Sequence, residues 1–174
     1  MAKIDKINAG SWTDYCVNLT RPVGDGAPND FYDVLLIQAL FKYISTTDFD
    51  NPYKSGLGML GLGDEGDGFV YEVPKLNGIM DLPTITAIRQ FQIANQDRLL
   101  VRMYDGVIEP AKYKSRTLWN VRTARLLSIT LLHEYASDAE IARGDTHYIH
   151  TLKTMSASLA DSFVINTEID TSNL

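Results

Sequence analysis

Three features of the chain predict a mainly helical fold. Ala87, Ile88, Phe91 and Ala94 or Asn95 trace the buried side of one helix, and apolar residues recur at spacings of three and four through Val34, Ile37, Phe41 and Ile44 and again through Tyr148, Leu152, Met155, Leu159 and Phe163. That is the period of one buried helix face. With 174 residues and a hydrophobic share of 45%, the chain can bury the core of one domain, or of one domain with an extension. Glycine gathers outside the periodic stretches, in a segment over 48–76 where its backbone entropy opposes helix.

Taken in order, residues 1–30 have a mixed pattern that ends in Arg21-Pro-Val-Gly-Asp-Gly-Ala-Pro-Asn-Asp30, a loop with two prolines and two glycines. Asn29 or Asp30 is placed to cap the helix carrying Val34 to Ile44, and Thr46, Thr47 and Asp48 end it. Gly56, Gly58, Gly61, Gly63, Gly66 and Gly68 then mark a loop or loose hairpin, with Phe69-Val-Tyr-Glu-Val73 its one run of strand propensity. Pro83 suits a first helical turn, because its missing amide hydrogen has no partner to lose there. Leu99-Leu-Val-Arg-Met-Tyr104 reads either as a short strand or as an extended lead-in to the Asp105-Gly106 turn. A further helix is expected from Ser115 or Thr117, with Leu118, Val121, Leu126, Ile129 and Leu132 contacted from more than one direction. Gly144 reads as its stop, the run from Tyr148 to Phe163 as a last amphipathic helix, and Asn166 to Leu174 as a fraying tail. The last helix either closes over the same core or forms a partner-binding arm. The scheme is an extension over 1–30, a core over 31–135 with the insertion 48–76, and a helical extension over 136–174.

Charge and composition exclude several functions. Asp and Glu number 22 against 16 Lys and Arg, a formal charge of -6 that disfavours nucleic acid and anionic membranes. The one dense basic run, Lys112-Tyr-Lys-Ser-Arg116, is short. The single cysteine, Cys16, allows no intramolecular disulfide and reads as a packing residue. No apolar run is long enough for a membrane span, and the first residues lack the apolar core of a secretory signal. A soluble protein without a cleavable signal is expected, with export by a specialised route or delivery in a larger particle as alternatives.

Signals for chemistry are weak. His133-Glu134 has no second histidine four residues on, so the paired-histidine metalloprotease spacing is missing. His133, His147 and His150 make a zinc site imaginable, although solvated or capping histidines explain them as well. Asp64, Glu65 and Asp67 lack calcium-loop spacing, and Gly61-Leu-Gly63 lacks the lysine of a phosphate loop. Asp81, Asp105 and Glu109 are conceivable glycosidase carboxylates, with turn capping as the plainer role of the two aspartates. No catalytic residue, metal or cofactor is therefore expected.

A resemblance sharpens this reading. Asp33-Val-Leu-Leu-Ile-Gln38, Asn77-Gly78, Asp81, Thr84, Ala87-Ile88 and Phe91-Gln92 together resemble the peptidoglycan-binding domain family, a compact three-helix module often attached to cell-wall hydrolases. The family pattern runs from Asp-Val-x-x-Leu-Gln to Asp-Gly-x-Phe-Gly-x-x-Thr-x-x-Ala-Val-x-x-Phe-Gln. In this chain Asn77 replaces the first aspartate of the second element, Met80 the aromatic residue and Asp81 the glycine. Asp105-Gly-Val-Ile-Glu-Pro110 and Thr117-Leu-Trp119 look like the third element, separated by an atypical insertion. The similarity covers residues 31–121 and is interrupted by the glycine-rich insertion.

The resemblance implies a three-helix core enlarged by that insertion and a carboxy-terminal helical extension. It also implies noncovalent binding of peptidoglycan, or a related cell-wall glycan or peptide, by a bacterial or phage targeting or anchoring module. The competing expectation is a protein-interaction or particle-structural module that keeps the fold without binding glycan. A sugar site needs an aromatic plane for the apolar face of a pyranose and polar groups for its hydroxyls. The residues near the turns that meet this need are Tyr104, Asp105, Tyr113, Trp119 and Gln92. Tyr113, between Lys112 and Lys114, is the expected exposed aromatic. Trp119 also fits a core position, and Gln92 also fits a loop brace.

Overall fold

The computed structural model describes residues 2–9, 12–49, 55–64, 70–99, 104–111 and 127–170. These residues are predominantly helical, with a small sheet formed by the two ends of the chain. Strands β1 (Lys3–Ala9) and β2 (Trp12–Asn18) form an antiparallel pair, with Lys3 opposite Asn18 and Ala9 opposite Trp12. The last strand, β7 (Val164–Asp170), lies parallel to β1 on its other side. The expectation of a fraying tail fails over Asn166–Asp170, because these polar residues gain backbone partners on β1. A parallel pair requires a crossover, and here the intervening helices supply it.

Helix α1 (Phe31–Ser45) begins where the sequence placed it, with the Asp30 side chain accepting the Tyr32 amide. Its core role is larger than the one-sided pattern suggested. Asp33 to Phe41, Tyr43 and Ile44 are all buried, so α1 is surrounded and packs against α4 (Ser128–Arg143), α5 (Tyr148–Met155) and α6 (Ala157–Ser162). A helix that is apolar on most sides is a central one. Buried Asp33 is satisfied by the Thr20 and Arg21 amides, which ties the amino-terminal segment to α1. Asn18 grips Ala111 from both sides, accepting its amide and donating to its carbonyl.

Among its described residues the insertion holds a single helical turn, α2 (Gly56–Met59), capped by Ser55. The short antiparallel pair β4 (Gly63–Asp64) and β5 (Val70–Tyr71) follows, with β5 inside the expected strand run, of which Phe69 lies outside the described residues. Helix α3 (Leu82–Ala94) starts at Asp81 with Pro83 in its first turn and buries Thr84, Ala87, Ile88, Phe91 and Gln92. Phe91 meets Phe41 and Tyr135 edge-on, linking α3 to α1 and α4.

Two strand residues from each side, β3 (Val23–Gly24) and β6 (Val107–Ile108), pair antiparallel and join the loop before α1 to the turn after α3. Helix α4 is described from Ser128; the part expected from Ser115 or Thr117, with Leu118, Val121 and Leu126, lies outside the described residues. Gly144 ends α4 in a left-handed conformation, as its position predicted. The single helix expected from Tyr148 to Phe163 is instead two, broken at Ser156, whose backbone is extended. The apolar period survives the break because Leu152 and Leu159 are both fully buried in the same core. Among the described residues, no helix is long and apolar enough to cross a membrane.

Candidate functional site

Helix α3 connects two turns built alike, and the buried glutamines Gln38 and Gln92 hold them. Gln38 on α1 accepts the amides of Asn77 and Gly78 at 3.0 and 2.8 Å. Its amide nitrogen faces the Ile79 carbonyl, Asn77 Oδ1 and Thr84 Oγ1 at 3.0, 2.9 and 3.1 Å. Gln92 on α3 repeats the pattern: it accepts the Gly106 amide at 2.9 Å and donates to the Val107 carbonyl at 2.9 Å and to Ser128 Oγ at 3.3 Å. The residue before each glycine closes the turn, Asn77 by accepting the Ile79 amide and Asp105 by accepting the Val107 amide, both at 2.9 Å. Gly78 and Gly106 take φ values of 67 and 80°, the left-handed region where glycine carries no Cβ penalty. Ser128 therefore stands to Gln92 as Thr84 stands to Gln38. Thr117, expected in that position, lies outside the described residues.

This geometry redistributes the expected ligand-binding residues. Gln92 is fully buried, and its amide is taken up by the second turn, which it braces. Tyr113 and Trp119 lie outside the described residues. Tyr104 (45% exposed) and Asp105 remain together at the surface. Beside them lies a pair that sequence reasoning missed: Arg89 on α3 reaches Asp25 at 2.6 Å, and its side chain runs against Gly106. The Asp25 amide also donates to the Gly106 carbonyl at 3.2 Å. Residues 25 and 89 are brought together by the β3–β6 pairing, and no local signal links them. Tyr104, Asp105, Asp25 and Arg89 lie around Gly106 as a polar ledge: Arg89 and Asp25 touch it, and exposed Tyr104 and Asp105 precede it in the chain.

The first turn presents a different surface. Phe31 lies across Gly78, so that a Cβ there would meet its ring at 2.3 Å. Ile79 (60% exposed) and Leu82 (73% exposed) extend the apolar surface along α3, which also exposes Ile93. Asp81 works as the cap of α3, accepting the amide and hydroxyl of Thr84 at 3.0 and 2.6 Å. The Thr84 hydroxyl holds the Asp81 carboxyl below its ordinary value of 3.8, with the Thr84 amide and Asn77 adding to it and desolvation opposing. A depressed folded-state value means that the cap's contribution is present above the ordinary carboxylate range and is lost as pH falls through the folded value. Asp81→Ala is expected to lower stability by about 1 kcal/mol at neutral pH. The gap to the parent protein should close in acid, which parallel thermal melts at pH 7 and below pH 3.8 would measure.

The histidines have other engagements. His133 is buried and shares a hydrogen bond of 2.7 Å with the Tyr148 hydroxyl. His147 caps α5 by accepting the Ile149 amide at 3.3 Å and stacks on Tyr148. Among the described residues, no group of three or more His, Cys, Asp or Glu gathers as a metal site. Compared with family models, curated proteins and solved structures, the chain finds no match in any of the three.

Proposed function

We propose that the chain binds peptidoglycan, or a related cell-wall glycan or peptide, without covalent chemistry, as a targeting or anchoring module. The observation that carries this reading is the ledge at the second turn. Tyr104 offers an aromatic plane for a pyranose face, Asp105 accepts from hydroxyls, and Arg89 donates to carbonyl or carboxylate groups. The Arg89–Asp25 pair is half exposed, and such pairs are weak enough to open toward a ligand. The backbone beneath is fixed by Gln92 and by the β3–β6 pairing, so little ordering opposes binding. The resemblance in the two glycine turns supports the choice of ligand.

Sedimentation with insoluble peptidoglycan, against cellulose and at low and raised salt, tests the reading. The protein is expected to pellet with peptidoglycan alone. The double variant Tyr104→Ala/Asp105→Asn should weaken binding about tenfold, or about 1.4 kcal/mol. The amide oxygen that Asp105→Asn leaves in place would still accept from the Val107 amide, so the turn itself is spared. Unchanged binding by the variant removes the ledge from the reading, and failure of the parent protein to pellet sinks the reading itself. The exposed apolar residues Phe31, Ile79 and Leu82 around the first turn favour a second reading, a protein-interaction or particle-structural module. A discrete complex without wall binding would select it.

A further inference from the structure

A groove at the amino-terminal end of α3 carries a chemistry of its own. Tyr71 and Glu72, at the end of β5, line it together with Leu82, Pro83 and Thr86, around a space of about 240 Å³. Leu82 and Pro83 are exposed and supply an apolar floor that water covers poorly; Thr86 adds a hydroxyl. Glu72, the one charged group among the described lining residues, is exposed.

The helix end would ordinarily draw an anion, since unpaired amides and the dipole favour negative charge there. In this protein that attraction is already answered. Asp81 takes the Thr84 amide, and Pro83 has no amide hydrogen to offer. Glu72 then repels a second anion. A fully apolar occupant would cover the floor but leave the charge of Glu72 uncomplemented. The complementary ligand has an aliphatic stem and a positive tip, the amphipathic build of lysine.

From this lining we infer that the groove receives a lysine side chain of a peptide partner, its stem along Leu82 and Pro83 and its ammonium on Glu72. The inference does not rest on the wall-binding reading. It concerns the first turns of α3, where the lining ends at Thr86, three residues before Arg89 of the ledge, and the two sites share no residue. A single exposed ion pair contributes little, so an isolated lysine residue should bind weakly, with a dissociation constant of about a millimolar or above.

The test is an amide-shift titration of the full chain by nuclear magnetic resonance. The probe is Nα-acetyl-lysine methylamide; its norleucine and Nε-acetyl-lysine counterparts keep the stem and remove the charge. The lysine probe should shift the amides of Tyr71, Leu82 and Thr86 saturably, and the two neutral probes should bind there about fivefold more weakly. Glu72→Gln should weaken the lysine probe about fivefold, the ceiling for an exposed pair, while Asp161→Asn on the distant α6 leaves it unchanged. Equal shifts from the norleucine probe, indifference to Glu72→Gln, or no saturable shift in the parent protein would each overturn the assignment. Both substitutions are at exposed positions, so the variants should fold and the comparison stays decisive.

Discussion

Gln38→Leu is expected to lower the melting temperature by about 10 °C. Leucine fills the space of the glutamine side chain and satisfies none of its partners. The Asn77 and Gly78 amides and the Ile79 carbonyl would lose the side chain that pairs them, and Gly78 and Thr84 are buried where water does not easily substitute. Leaving two or three such groups unpaired costs about 3–5 kcal/mol. In a chain of this size each kcal/mol moves the midpoint by about 2–4 °C. Gln92→Leu should cost less, about 2–3 kcal/mol, since fewer backbone groups depend on it. Its second consequence separates the two variants. Gln92 fixes the turn that carries Asp105, so Gln92→Leu should weaken peptidoglycan binding in the folded protein, whereas Gln38→Leu should leave it near the parent value. Thermal melts followed by circular dichroism, with sedimentation below the midpoint, measure both. A shift of less than about 2 °C for Gln38→Leu would mean that the first turn holds its shape without the brace.

Which parts of the molecule were legible in the sequence follows from the range of each physical signal. The starts of α1 and α3 and the end of α4 rest on caps within three residues, Asp30, Asp81 with Pro83, and Gly144, and these were readable. The pairing of β1 with β7 was not. Lys3 meets Val164 only after the helices have brought the chain back, and Val164-Ile-Asn-Thr-Glu-Ile-Asp170 has too much polar character to announce a strand alone. The central place of α1 was half visible: Val34 to Ile37 and Ala39 to Phe41 are continuous apolar runs, although a single face at spacings of three and four was enough to explain them. Gln38 and Gln92 stood in plain view as polar residues on otherwise buried helix faces. Such a residue must find partners, and the glycine turns downstream were the available donors. The Arg89–Asp25 pair had no comparable signal, because the two residues are 64 positions apart and meet only through a two-residue strand pairing.

The same pairing supplies the second large effect, in Gly24→Ala. Gly24 has φ of 149°, and a Cβ built there would fall 2.0 Å from the Gly106 carbonyl oxygen and 2.6 Å from Val107 Cα. Both obstacles are backbone, so no rotamer change relieves them. β3 and β6 must separate, which breaks the register of Val23 with Ile108 and Gly24 with Val107, and strains the Asn29 side chain that holds the Gly24 amide and carbonyl at 2.8 and 2.9 Å. The expected loss is about 3 kcal/mol or more, combining overpacking with an unfavourable φ. Gly26→Ala provides the contrast. Its φ of 70° carries the left-handed penalty, but nothing lies within 4 Å of the new Cβ, so the loss should stay near about 1–2 kcal/mol. Gly78→Ala falls between, because the atoms in its way belong to the Phe31 ring and a side chain can yield; adding Phe31→Ala should recover part of the loss. Gly24→Ala alone should also impair binding, since moving β3 from β6 carries Asp25 away from Arg89 and from the turn bearing Tyr104 and Asp105. If Gly24→Ala melts like Gly26→Ala and still pellets with peptidoglycan, the β3–β6 pairing does not hold the ledge, and its geometry must be set by Gln92 alone.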